Sequence, residues 1–190
     1  MDTMNRHLHT PLAALLLTLL GCAGTTAGGP LASRSTSPDT SNVEAWPVEH
    51  LAVRSLIERF ADAANHQDWK TTESLFTEDA VWEVKAAPPM GWTFEGRDAI
   101  REGMTSNTAR VELRVQSVTP IVVHVQGPER ATARSTLDEV LRIKQTGKYL
   151  RVVGTYSDQF VKQDGQWRFS RRTFEFRYEE ELGAPSGGGR

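Results

Sequence analysis

The sequence predicts an α+β fold in which helices pack on one face of a curved, mostly antiparallel sheet. Apolar residues recur at helical spacing over residues 47–66, which is typical of a helix with one buried face. Asp164-Gly165 joins two apolar-rich segments and strongly indicates a tight β-hairpin. Helices followed by a run of antiparallel strands favour the α+β class. The predicted late strands are residues 111–125, 131–144, 149–163 and 166–178.

The helical half of the chain has its own start signals. Pro47 suits the first turn of the first helix, and Asp68 can cap a second short helix that follows a break at residues 65–67. Residues 80–85 then predict a strand and residues 96–104 a third short helix. About three helices are therefore expected before the main run of strands.

The predicted hairpin allows its register to be counted outward from the turn. Counting places Phe160 opposite Phe169 and Asp158 opposite Arg171. Beyond this arginine the apolar positions change from odd to even numbers, which a two-residue period allows only through an extra residue. The pattern therefore predicts a bulge at Arg171-Arg172.

The N-terminal residues predict export and a lipid anchor. A ten-residue apolar run, residues 11–20, follows a short stretch with a basic residue. Gly21 and Cys22 come directly after it and complete the sequence Leu19-Leu20-Gly21-Cys22. Such a run is too short for a membrane span, which needs roughly 20 helical residues, and is typical of a signal peptide. Leu-x-Gly-Cys resembles a bacterial lipobox, in which Cys22 becomes the first residue and carries lipid. The alternative is an ordinary signal peptide with an incidental cysteine.

Four segments follow from this interpretation. Residues 1–21 are the predicted signal peptide, and residues 22–45, rich in small and polar residues, form a flexible tether. Residues 46–180 form one domain, and residues 181–190 a disordered tail. Ala23 beside Cys22 resembles an outer-membrane sorting signal. We therefore expect a lipid-anchored protein of the bacterial cell envelope, held at the outer membrane.

Composition and charge exclude two classes of partner. The formal net charge is −2, which gives no electrostatic basis for binding nucleic acid. The mature chain has three histidines, His50, His66 and His124, and none is at a metal-ligand spacing from another. We expect no metal and no cofactor.

Six motifs in order resemble a known family. They are residues 64–69 (Ala-Asn-His-Gln-Asp-Trp), 75–80, 94–100, 154–160, 164–167 and the pair 171–172. Together they resemble a SnoaL-like domain of the nuclear-transport-factor-2-like superfamily over roughly residues 47–180. The resemblance implies a cone-shaped sheet wrapped by helices around a deep pocket. Because members include isomerases, cyclases, dehydratases and non-enzymatic binding domains, the fold alone does not choose a function.

The same resemblance bears on catalysis. Phe60 and Val84 fall where ketosteroid isomerases have their oxyanion tyrosine and base aspartate, and Asn65 falls where scytalone dehydratase has a water-orienting aspartate. Neither activity carries over. The resemblance to polyketide cyclases leaves Asp158, with Tyr156 on the same strand face, as the candidate acid/base pair. The alternative role for this aspartate is structural.

In that structural alternative, Arg171 opposite Asp158 forms an ion pair that lowers the carboxyl pKa and weakens it as a base. The predicted pocket residues are Phe60, Asn65, Trp82, Val84, Trp92, Phe160, Phe169 and Arg171, with Trp92 at the rim.

Three functions remain open from the sequence. The first is a tethered domain that binds a small, largely apolar molecule in its cone. The second is a cofactor-independent isomerase, cyclase or dehydratase that uses Asp158 and Tyr156. The third is an interaction module that forms a homodimer through the outer face of the sheet.

Overall fold

A computed structural model describes residues 41–85 and 91–183, which belong to one compact unit of the chain. The helices described are α1 (Ser41–Ala45), α2 (Pro47–Asn65), α3 (Trp69–Ser74) and α4 (Arg97–Thr108). The strands are β1 (Phe76–Lys85), β2 (Trp92–Glu95), β3 (Val111–Val125), β4 (Arg130–Ile143), β5 (Tyr149–Gln163) and β6 (Gln166–Leu182).

These strands form a mixed, curled sheet in the order β2-β1-β6-β5-β4-β3. β1 pairs with β6 in parallel, and the remaining neighbours are antiparallel. α2 packs mainly against β3, and α4 against β1 and β2. The predicted α+β fold, a cone-like sheet wrapped by helices, is confirmed.

The turn between β5 and β6 forms as its residue types require. Asp164 and Gly165 both have positive φ, 51° and 75°, which a type I′ turn needs at its two central residues.

Asp68 caps α3 as predicted, because its side chain accepts a hydrogen bond of 3.0 Å from the backbone N–H of Thr71. β1 begins four residues before the predicted strand, and β2 was not predicted.

Part of the segment predicted as a flexible tether is ordered. Residues 41–45 form α1, and the side chain of Asn42 makes two hydrogen bonds of 2.8 Å to the backbone of Val125 on β3. A long-range contact of this kind leaves no signal in a short polar segment. β6 also continues to Leu182, beyond the predicted domain end. The predicted signal peptide, Cys22, the rest of the tether and residues 184–190 lie outside the described residues.

An aromatic cluster forms the centre of the hydrophobic core beneath α2. Phe60 makes edge-on contacts with the rings of Phe76, Trp82 and Phe169, at centroid distances of 5.7–6.0 Å. Phe160 packs on Phe169 at 4.8 Å. Such pairs contribute about 0.5–1.5 kcal/mol each beyond the apolar area that they bury. This cluster closes one end of the cone with packed side chains.

Glu49 fastens the start of α2 to the hairpin. Its carboxylate accepts hydrogen bonds from Lys162 Nζ at 2.9 Å and from Trp167 Nε1 at 2.5 Å. These bonds, that from Lys162 first, hold the pKa of Glu49 below its usual value. The helix therefore keeps a fixed position over the closed end of the sheet.

The bulge in β6 lies one residue earlier than predicted. Phe160 pairs with Phe169 as expected, but the next pairs are Gln159 with Arg171 and Asp158 with Arg172. Ser170 is therefore the extra residue. This single step turns Arg172 into the cone and leaves Arg171 exposed on the outer face.

Candidate functional site

A cavity of about 520 Å³ lies between α4 and the sheet. Apolar and aromatic side chains form most of its wall, and the pocket is within the size range of small-molecule sites. The residues at its centre are Trp82, Val84, Leu137, Val152, Tyr156 and Phe174, all buried, with Trp92 and Phe176 beside them.

Polar side chains of the cavity wall are at its solvent-exposed end. Asn107 and Arg110 at the end of α4 and Glu179 on β6 are exposed, and Glu139 on β4 is half-buried. The wall thus changes from charged at the entrance to apolar inside.

Asp158 and Arg172 form an ion pair at the boundary between the cavity wall and the aromatic core. Their side chains are fully buried, and Arg172 Nε lies 3.5 Å from Asp158 Oδ1. The guanidinium carbon lies 3.6 Å from the ring centroid of Tyr156 and 4.0 Å from that of Phe60. One cation is therefore sandwiched between a ring of the cavity wall and a ring of the core.

Burial dominates the electrostatics of this pair. Desolvation raises the pKa of Asp158 from 3.8 to about 6, and the positive charge of Arg172 opposes but does not cancel the rise. Among the described residues, neither carboxylate oxygen nor any guanidinium nitrogen has a hydrogen-bond partner. A buried carboxyl group with this pKa can exchange a proton near neutral pH.

The predicted site residues separate into two groups. Trp82, Val84, Trp92 and Tyr156 line the cavity together. Trp92 begins β2 and packs edge-on against Trp82 at 5.1 Å, so it is part of the wall at this side of the cavity. Asp158 lies two residues after Tyr156 on the same face of β5. Tyr156 belongs to the cavity wall, but Asp158 does not.

The other predicted pocket residues have structural surroundings. Phe60, Phe160 and Phe169 belong to the packed aromatic core and do not line the cavity. Asn65 uses both ends of its amide to bind the backbone of Gln116, at 2.8 and 2.9 Å, and so joins α2 to β3. Assigning these four residues to the pocket was wrong.

Arg171 was assigned wrongly as well. It is exposed and lies 3.5 Å from Glu83 on the neighbouring strand, in an ion pair at the surface. The prediction that Asp158 pairs with an arginine is correct, but the arginine is Arg172 and not Arg171. Sequence reasoning missed Arg172 and also Leu137, Val152 and Phe174 of the wall. In β6 the apolar positions change from odd to even numbers, and this change is the sequence signal that an arginine turns inward. The prediction placed the bulge one residue late, so it assigned Arg171 in place of Arg172.

In residues 41–85 and 91–183 no group of three or more His, Cys, Asp or Glu side chains could hold a metal ion. In the same ranges no helix is both long and apolar enough to cross a bilayer. His124 is exposed on the outer face of β3 and is not near the cavity wall.

A SnoaL-like domain model matches residues 49–173, about two thirds of the chain. The chain belongs to the SnoaL-like domain family. A candidate scytalone dehydratase from Novosphingobium aromaticivorans superposes with a TM-score of 0.64 and 23% identity, over 78% of this chain and 99% of its own. The protein of unknown function Rv3472 from Mycobacterium tuberculosis is 30% identical, with a TM-score of 0.61, over 73% and 78% of the two chains.

A third similar structure is hexachlorocyclohexane dehydrochlorinase LinA-type3 from Novosphingobium barchaimii. It superposes with a TM-score of 0.67 at 14% identity, over 76% of this chain and 97% of its own, and at that identity the likeness concerns the fold alone. No curated protein matches the chain significantly.

Proposed function

We propose that this protein binds a small, largely apolar molecule in the cavity between α4 and the sheet. The observation that supports the proposal is the cavity of about 520 Å³, whose centre is lined by buried apolar and aromatic side chains. Burying apolar ligand surface there contributes about 25 cal/mol per Å² before the costs of association. Trp82 and Trp92 offer large rigid surfaces for such a ligand.

Filling the cavity should abolish binding. In Val152→Trp a bulky ring replaces a buried wall residue and fills the cavity. The uncharged probe N-phenyl-1-naphthylamine, whose fluorescence increases on binding, should then bind at least tenfold more weakly. Fluorescence titration of the full chain measures the effect.

The matched control is Val122→Trp. Val122 is 55% exposed on the outer face of β3, so the same substitution there should leave probe binding unchanged. Probe binding that survives in Val152→Trp, or that wild type lacks, would contradict the proposal.

The second candidate is a metal-independent enzyme that transfers protons, of the isomerase, cyclase or dehydratase type. The observation that favours it is the buried carboxyl group of Asp158, which has a pKa of about 6 and lies two residues from Tyr156 on the same face of β5. Asp158 would take a proton α to a carbonyl while the electron pair moves onto the carbonyl oxygen, which Tyr156 would stabilise by donating a hydrogen bond. Binding ranks first because Asp158 does not line the cavity.

Hydrogen–deuterium exchange of 2-tetralone tests the enzymatic candidate. If Asp158 is a base, wild type accelerates exchange at the carbon between the ring and the carbonyl, and Asp158→Asn loses at least a hundredfold of that acceleration. Proton NMR in heavy water follows the reaction. Equal exchange rates with and without wild type would eliminate this candidate for ketones of this size.

We further propose that the domain is tethered to the bacterial cell envelope through lipid on Cys22. The support is the apolar run 11–20, which Gly21 and Cys22 follow directly. Mass spectrometry of the mature N-terminus from a bacterial host decides this point, and an unmodified Cys22 would refute it. A homodimer through the outer sheet face stays a prediction.

A further inference from the structure

Several polar groups inside the cone have no hydrogen-bond partner among the described residues. They are Trp82 Nε1, Ser135 Oγ, both oxygens of Asp158 and the three nitrogens of Arg172. All four side chains are at most 7% exposed. Buried polar groups without partners cost about 1–3 kcal/mol each, so a cluster of them calls for an explanation.

Strand register places these groups side by side. Trp82 on β1 is the partner of Arg172 on β6, which is the partner of Asp158 on β5. Ser135 on β4 lies in the adjacent row, opposite Tyr156. We call these four residues, Trp82, Ser135, Asp158 and Arg172, the polar band.

The polar band borders the cavity. Trp82 and Tyr156 belong to the cavity wall, and the guanidinium of Arg172 stacks 3.6 Å from the Tyr156 ring centroid. On its other side the band meets Phe60 and Phe169, which close the cone. The cavity wall therefore reaches the polar band at Trp82, and the Arg172 guanidinium lies directly behind the wall residue Tyr156.

We infer that the polar band is a subsite for an uncharged oxygen, a hydroxyl or carbonyl, at one end of the apolar ligand. The inference rests on the proposed binding function. Trp82 supplies an N–H donor at the cavity wall, and Arg172 supplies further N–H donors directly behind the Tyr156 ring, both of which suit an oxygen acceptor. Asp158 beside Arg172 makes the pair neutral in sum, and an added anionic group would face that carboxylate in a dry site.

Three naphthalenes of similar size test the inference on the full chain. In a purely apolar cavity 2-methylnaphthalene would bind at least as tightly as 2-naphthol, because the hydroxyl loses its hydrogen bonds to water. With the polar band as a subsite, wild type should bind 2-naphthol about tenfold more tightly than 2-methylnaphthalene at pH 7. It should also bind 2-naphthol more tightly than 2-naphthoate. Titration calorimetry, with the protein in the syringe, gives the affinities.

A pair of variants separates this subsite from general effects of buried polar groups. Trp82→Phe removes one unpaired donor from the wall and should reduce the preference for 2-naphthol over the methyl compound at least threefold; loss of volume affects both ligands and cancels in the ratio. Thr77→Val is the matched control. Thr77 is 1% exposed, its hydroxyl is also unpaired, and it does not line the cavity. Its variant should keep the wild-type ratio.

The outcomes distinguish this inference from the proposed function. If N-phenyl-1-naphthylamine binds but wild type shows no preference for 2-naphthol over the methyl compound, the inference is wrong and the binding function stands. The inference is also wrong, with the binding function intact, if 2-naphthoate binds most tightly or if Trp82→Phe keeps the full preference. If none of these probes binds, the proposed function fails and the inference with it.

Discussion

Replacing Arg172 by methionine is expected to lower the free energy of unfolding by about 3–5 kcal/mol at pH 7.5. Arg172 is 0% exposed and holds the only cation that the structure describes within ion-pair distance of the buried Asp158 carboxylate. Methionine retains an unbranched apolar stem between Phe60 and Tyr156, so the dominant loss is the charge partner. Urea unfolding followed by tryptophan fluorescence measures the change.

Its neighbour provides a matched control. Arg171→Met removes an exposed arginine whose ion pair with Glu83 lies at the surface, so the change should stay within about 1 kcal/mol. The double variant Arg172→Met, Asp158→Leu removes both buried charges and should recover most of the lost stability. A wild-type midpoint for Arg172→Met would show that the buried pair contributes nothing.

The one-residue error in the β6 bulge shows where sequence reasoning reaches its limit. Alternation predicted that an extra residue must occur near Arg171, and the structure has it at Ser170. The run Ser170-Arg171-Arg172 is polar throughout, so no local pattern tells which residue is extra. The choice depends on distant partners, the Phe60 ring on α2 and the Asp158 carboxylate on β5, which hold one guanidinium inside the cone.

The cavity was similarly predictable only in part. Alternation along β4 and β5 can place Leu137 and Val152 on the inner face, together with the predicted Tyr156. Whether inward residues pack solidly or leave space depends on the elements that cover them. Phe160 lies beneath α2 and is fully packed, whereas Leu137 faces the open region beside α4. Sequence spacing carries no information about that difference.

Lowering the pH from 7 to 4 should stabilise wild type relative to Asp158→Asn by about 2 kcal/mol. The folded pKa of Asp158 is about 6, above the ordinary 3.8, because burial disfavours the carboxylate. Between these values the native protein binds more protons than the unfolded chain. The contribution is therefore complete below about pH 4 and is lost as the pH rises through 6.

Comparison with Asp158→Asn isolates this one carboxyl group. Glu49, Asp68 and Asp138 have lowered pKa values, so they act in the opposite direction and lose stability as the pH falls. Both proteins contain these groups, and their contributions cancel in the difference. Urea unfolding at pH 4, 5, 6 and 7 should give a difference that falls steadily and levels above pH 6. A flat difference would mean that Asp158 keeps an ordinary pKa and that the inner end of the cone is wetter than its burial indicates. A difference that rises with pH would mean that the charge of Arg172 outweighs desolvation and lowers the pKa of Asp158.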